Sequence, residues 1–272
     1  MRCERDASLI GFARSVREED PGIGARKIWL MASDVFGTNM IGRDAFYHLL
    51  DREGLKLKRP RPRHTTNSNH RYHKYKNLVA GQVPTEPDSL WVSDITYIQL
   101  AGGESSYLHL VTDGYSRKVI GWCLSPTLEA RYTLEALRQA IDQAGGGDLS
   151  RVTHHSDRGV QYCCNAYVNE LEAHGIRISM TEDYKPTDNG IAERVNGIIK
   201  NEKLYRQSPC ASLEKAREEI ERFIHFYNER RPHMSIGYQT PSEVHRQSGA
   251  QKRMWKSFQP NQDYDTSLYA NI

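Results

Sequence analysis

"LWVSDITYIQL", residues 90–100, decides how the rest of the chain is read. Its β-branched and aromatic residues follow the two-residue period of a strand, and Asp94 stands among them where strand propensity disfavours it. Outward from it, "YLHLVTD" (107–113) and "KVIGWCL" (118–124) read as two more strands, separated by "AGGESS" and "GYSR", both of hairpin-loop character. A helix over about 128–144 follows, with Leu134, Leu137 and Ile141 in register and three glycines at its end. Then come a strand "RVTHHSD" (151–157), a helix "AYVNELEAHG" (166–175), a strand "IRISMT" (176–181) and a helix opening in "TDNGIAERVNGIIKNE" (187–202). Three strands in a meander followed by α-β-α-β-α predict an α/β fold: a mixed five-stranded sheet with helices on its faces. No Gly-rich phosphate loop is present, which argues against a doubly wound dinucleotide fold.

The flanks differ in texture. Helices are expected over 8–19, 24–32 and 42–54, with Ile28 and Met31 or Ala32 inward on the second and Ala45, Phe46, Leu49 and Leu50 on the third. Joined by the turn "SDVFGTN", they have the outline of a helix-turn-helix unit, with Arg43, Tyr47 and Arg52 on its outer side. Residues 1–80 carry 16 Lys and Arg against 9 Asp and Glu, whereas the remainder carries 21 against 25. From Lys56 to Lys76 there is no acid. Lys56, Lys58, Arg59, Arg61 and Arg63 open that basic arm, which fits a polyanion partner, most simply nucleic acid. The expected divisions are a helix-turn-helix domain (1–60), a basic linker (61–83), a core with a long amphipathic helix at 213–229 (84–248), and a tail (249–272). The chain has no long apolar run and no signal-peptide core, and its five cysteines are scattered without a CxxC pair; a reduced, cytoplasmic protein is expected.

Two acids sit oddly. Asp94 lies inside a strand, and Asp157 ends the fourth strand at the carboxyl edge, where open α/β sheets build their sites. In a sheet of this order those two strands are neighbours, and the helix carrying Glu193 crosses the same edge. Three carboxylates would repel one another unless a divalent cation lies between them, and oxygen-only ligands suit Mg²⁺ or Mn²⁺. On the Glu193 helix, Asp188 and Asn189 are good cap residues, and Ile191, Val195, Ile198 and Ile199 form the docking side. Glu193, Asn196, Gly197 and Lys200 form the other. Seven residues turn about 700°, so Glu193 and Lys200 share one side roughly 10 Å apart. Gly197 between them costs about 1 kcal/mol relative to alanine, which suggests close approach by something large.

The 62 residues between Asp94 and Asp157 and the 35 between Asp157 and Glu193 resemble the spacing of the DDE catalytic core of retroviral-type integrases and transposases. Over about 84–245 the chain most closely resembles the transposase from the second reading frame of IS-three-type insertion sequences. "LWVSDITYI", "DGYSRKVIGW", "HHSDRGVQY", "TDNGIAERVNGIIKNE" and "YNERRPHMSIGYQTPSEV" carry the resemblance. It implies an RNase H-like fold and two metal ions held by Asp94, Asp157 and Glu193. It also implies a DNA contact by Lys200, and cleavage and joining of double-stranded DNA at element ends without a protein nucleophile. A homo-oligomer acting on paired ends is implied too, as is synthesis as a fusion with an upstream frame. Integrases carry a His/Cys zinc module. Here His70 and His73 have no cysteine pair near them, so no zinc is expected. His154, His155, Cys163 and Cys164 are expected as core and surface residues, and Asp113 as structural. A nuclease of the same fold that cuts without joining, and an inactive DNA-binding remnant, are the alternatives.

Overall fold

The computed structural model describes residues 2–57 (side chains from Glu4 onward), 71–182 and 189–251. At its centre, β1 (Leu90–Gln99) pairs antiparallel with β2 (Ser105–Asp113), which pairs antiparallel with β3 (Val119–Ser125). On the other side β1 pairs parallel with β4 (Thr153–Ser156), and β4 pairs parallel with β5 (Arg177–Met180). The order is β3-β2-β1-β4-β5, the expected mixed sheet. Short loops make the antiparallel hairpins, whereas the parallel pairs need helical crossovers. These are α4 (Ala130–Gln143), and α5 (Val160–Cys163) with α6 (Asn165–Ala173). The four-residue α5 is not anticipated in the sequence.

One face of the sheet is covered by α4 and α6, with Trp91, Val111, Ile120, Leu137, Ile141 and Leu171 buried between the layers. The contact with β3 is close: a Cβ at Gly121 would lie 2.0 Å from the carbonyl oxygen of Ala136, so only glycine lets the helix in. The other face is covered by α7 (Gly190–Ile198) and α8 (Leu213–Glu229), through Val195, Ile198, Ile220, Phe223 and Tyr227 packed on Leu108, Leu110 and Leu124. The last helix among the described residues, α9 (Pro241–Val244), starts with a capping box between Thr240 and Glu243.

The amino-terminal helices are α1 (Arg2–Glu19), α2 (Ala25–Phe36) and α3 (Arg43–Arg52). The second runs four residues past the expected end and takes up "SDVF", which leaves a 3₁₀ turn, Gly37–Asn39, and three more residues as the link to α3. Ile28, Ala32, Phe46, Leu49 and Leu50 point inward as expected, but Ala45 is exposed. Their core is completed from outside the unit: Phe226 of α8, 1% exposed, packs into the Leu9, Val16 and Ile28 cluster. Arg230 pairs with Glu19 across the same seam. The described part of the basic linker is tied down as well. The Leu78 N–H donates to Ser179 Oγ (2.8 Å) and the Met180 N–H to the Lys76 carbonyl (3.3 Å), both on β5.

Candidate active site

Strand register brings the first two acids together. Leu90, Trp91 and Val92 of β1 lie opposite Thr153, His154 and His155 of β4, in parallel. Two residues further along each strand stand Asp94 and Asp157, on the same side of the sheet because the step is even. Pairing ends at Val92 and β4 ends at Ser156, so both carboxylates emerge where the ladder opens. Glu193 lies in the first turn of α7, which crosses that edge, and its side chain is exposed.

Neighbouring groups hold these acids in place. Asn196 Nδ2 donates to Asp94 Oδ2 at 2.7 Å, and the Ile95 N–H donates to Oδ1 at 2.9 Å. The Gly159 N–H donates to Asp157 Oδ1 at 2.9 Å. Burial raises the Asp94 carboxyl pKa to about 7, and the carboxylates of Asp157 and Glu193 add to the rise against the two hydrogen bonds. The buried Tyr162 ring lies beneath them. Burial pushes its hydroxyl well above the usual range, with Asp94 and Asp157 adding, and that oxygen has no hydrogen-bond partner among the described residues. Deeper still, Ser93 Oγ (2.7 Å) and Tyr167 Oη (2.9 Å) meet His154 Nε2. Burial holds this imidazole at about 3, so it is neutral.

Among the described residues no three His, Cys, Asp or Glu side chains form a ready metal cage. The donor set nevertheless fits a hard divalent cation. It is all carboxylate oxygen, and Asp94 is driven toward the neutral acid by burial and by its acidic neighbours, a pressure that a bound cation reverses.

Lys200 lies just beyond α7, half-buried, with its Nζ 4.9 Å from the centre of the Tyr97 ring and in the field of Asp94. Gly197 faces open space: a Cβ there would meet only Asn201 Nδ2, at 3.9 Å. Among the described residues nothing requires glycine at that position. Arg43 and Arg52 are exposed and pair with Asp44 (2.9 Å) and Glu53 (3.4 Å), and Lys56 pairs with Asp51 (3.2 Å). Tyr47 is half-buried against the amino-terminal core instead of lying free on the outer side. Lys58, Arg59, Arg61, Arg63, His70 and Asp188 lie outside the described residues, as does most of the 249–272 tail. His73 sits edge-on to Tyr75. His155 bonds Ser179 in the core, and Cys163 is buried while Cys164 is half-buried. Asp113 is fully buried and accepts from the Asp88 and Ser116 N–H groups and from Ser116 Oγ, holding the "DGYSR" turn.

Three residues of the site have roles that the sequence does not give. Asn196 belongs to the Glu193 side of the helix, as expected, but that side is covered by β1 at this point. Asn189 occupies the N-cap position without capping: its Nδ2 donates to the Ser93 carbonyl (3.0 Å), stitching α7 to β1. Tyr162 has no local signal. Only Asn196, three residues after Glu193 and so one turn along, had a detectable one.

The integrase core domain family matches residues 84–186 and, through a second description of the same domain, 174–241. A Mycobacterium tuberculosis protein assigned as transposase of insertion sequence element IS986/IS6110 is 32% identical over 255 residues, covering 92% of this chain and 91% of that one. The transposase for insertion sequence element IS629 of Shigella sonnei is 30% identical over 257 residues, covering 89% and 80%. In fold, the chain is similar to one in a cryo-EM structure of the simian T-cell lymphotropic virus intasome in complex with a PP2A regulatory subunit. The TM-score is 0.50 at 18% identity, over 84% of this chain and 76% of that one. No helix among the described residues is long and apolar enough to cross a membrane. The RNase H-like sheet order and the extent of these matches lead to one assignment: the chain belongs to the insertion-sequence transposases that carry an integrase core domain.

Proposed function

We propose that the chain cuts DNA at the ends of its insertion sequence and joins the freed 3′ ends to target DNA, with Asp94, Asp157 and Glu193 as the catalytic and metal-holding residues. The observation that carries this reading is the convergence of carboxylates from β1, the end of β4 and α7 on one sheet edge, close enough that Asp157 and Glu193 both disfavour ionisation of Asp94. Two bound Mg²⁺ or Mn²⁺ ions would activate the attacking oxygen and stabilise the leaving one in an in-line displacement at phosphorus.

The rest of the chemistry is positioning. Asn196 orients Asp94, and the Gly159 N–H orients Asp157. Gly197 leaves room for a sugar-phosphate backbone beside Glu193. Lys200, held over Tyr97, places an ammonium where a phosphate bound at the carboxylates would pass. No Ser, Cys or Tyr serves as nucleophile: the attacking group is water in cleavage and a DNA 3′-hydroxyl in joining. Arg43, Arg52, Lys56 and the basic arm give the amino-terminal unit its DNA-facing charge, for recognition of element ends. Because two ends must be joined to one target, the working form is a homo-oligomer acting on DNA in the bacterial cytoplasm.

Labelled element ends incubated with the protein, Mg²⁺ and a target plasmid test the reading. Products joined to the plasmid are expected. Cleavage without joining would reassign the chain as a nuclease, and binding without either would make it an inactive remnant.

A further inference from the structure

We propose that Glu202 is a positioning residue. It clamps the end of the helix bearing Glu193 to the amino-terminal helical unit, so that this unit seats an active-site carboxylate as well as facing DNA. The proposal rests on the metal-holding role proposed above for Glu193.

The helix does not stop at Ile198. It continues as a π-helical turn, Ile199–Lys203, a geometry that interrupts the regular ladder and is found mostly at functional sites. Adjacent residues of that turn are gripped from opposite directions. Lys203, 4% exposed, pairs with Glu219 of α8 at 3.0 Å. Glu202 reaches the other way: Oε1 accepts from Lys27 Nζ of α2 (3.1 Å) and from an Arg231 terminal nitrogen (2.7 Å), and Oε2 accepts from Arg231 Nε (2.7 Å). Such a two-pronged contact fixes orientation as well as distance. Arg231, fully buried, also donates to His233 Nε2 at 2.7 Å and lies 3.6 Å from Asp20 Oδ2.

Asp20 and the turn after α1 complete the clamp. Asp20 Oδ1 accepts from the Gly22 N–H at 3.1 Å. At Gly22 the two units touch backbone to backbone, since a Cβ there would lie 2.1 Å from Glu202 Cα. Arg231 and Lys27 hold the Glu202 carboxyl down at about 2, although burial alone would raise it. Asp20 is pushed well above the usual range by burial and by Glu202. One ionised carboxylate thus serves two cations. A cleft of about 470 Å³, lined by Lys27, Arg231, Glu202, Arg194, Gly197 and Glu193 among others, runs from the clamp to the active-site acid. The clamp and Glu193 therefore share one continuous turn-and-helix, nine residues apart.

Mn²⁺ binding to the full-length protein, followed by the EPR signal of the free ion, separates this proposal from the one it rests on. Wild type, Glu193→Gln, Glu202→Gln, Lys27→Glu and, as a charge control, Arg14→Glu are compared. Arg14 is exposed on α1, so its reversal changes the charge of the unit without touching Glu202. Glu193→Gln should weaken Mn²⁺ binding tenfold or more. If it does not, the metal-holding role of Glu193 fails. Given that loss, Lys27→Glu and Glu202→Gln should each weaken binding about fivefold or more, with Arg14→Glu unchanged. Lys27→Glu alters no residue of the core and decides the matter even if Glu202→Gln fails to fold. Binding within twofold of wild type for Lys27→Glu, or an equal loss for Arg14→Glu, overturns the positioning role.

Discussion

Two clusters of acids lie along the same helix and its continuation, and they are built in opposite ways. At the sheet edge Asp94, Asp157 and Glu193 crowd together, and Asp94 is forced toward the neutral acid. At the seam with the amino-terminal unit, Asp20 and Glu202 are as deeply placed, but Lys27 and Arg231 sit between them at hydrogen-bonding distance and Glu202 stays ionised. A buried charge is tolerated when the chain supplies its counter-charge. Where acids instead raise one another, as around Asp94, the crowding suits a cation from outside. The first arrangement is expected to serve activity at the expense of stability, and the second the reverse.

Substitution at the edge gives the largest effect. Asp94→Asn, Asp157→Asn or Glu193→Gln, made singly, should abolish cleavage and joining while leaving DNA binding nearly intact. Asp94→Asn should also leave the melting temperature unchanged or raise it, because it removes a repelled charge. Joining activity retained by any one of the three would remove that residue from the site, and a marked fall in melting temperature for Asp94→Asn would erase the contrast between the clusters. At the seam, Arg231→Met strands Glu202 and Asp20 without their main partner. Loss of one member of a buried pair costs about 3–5 kcal/mol, and urea unfolding should show a loss of that order. A loss no larger than that of a surface substitution would mean that the seam is not a structural clamp.

The core beneath the sheet edge supplies a third kind of buried polar group, kept neutral. Burial holds His109 at about 4 and His154 at about 3, against an ordinary 6.5. Below pH 6.5 the unfolded chain takes up protons that the folded chain refuses. Stability present above that pH is therefore lost as pH falls toward 4, by roughly 1.4 kcal/mol per unit for each histidine. The raised carboxyls of Asp94 and Asp20 take up protons in the folded state with the opposite sign, so the histidine contribution is read as a difference. Between pH 7 and pH 5 the urea midpoint should fall more steeply, or rise less, for wild type than for His109→Gln. Equal slopes for wild type and His109→Gln would mean that this imidazole is not buried neutral.

The smallest effect concerns Lys200. If it contacts a phosphate, Lys200→Ala should lower the magnitude of the salt slope of end binding by about one unit, and Lys200→Arg should recover part of the binding. Parallel salt plots for wild type and Lys200→Ala would leave the lysine with no role beyond its contact with Tyr97.

Much of the fold was legible because its signals are local. Strand alternation and hairpin loops predicted β1 to β3, and the amphipathic period placed α8 at its observed limits, Leu213–Glu229. The parallel register then follows from the order of elements, so the juxtaposition of Asp94 and Asp157 could be anticipated before any coordinate. The short α5, the extension of α2 and the partner of Asn196 could not. Each depends on which surface covers a residue, and helix periodicity distinguishes only one side of a helix from the other.

The sequence by itself determined the sheet order, the three carboxylates and their spacing, because strand and helix periods and a misplaced acid are properties of short stretches. Only the tertiary structure decided that the amino-terminal helices share a buried seam with the core. Phe226 completes their core, and Glu202 reaches Lys27 across 175 positions of chain. Complementary charges and a backbone-to-backbone contact at Gly22 arise from the meeting of distant segments, and such pairings leave no periodic trace along the chain.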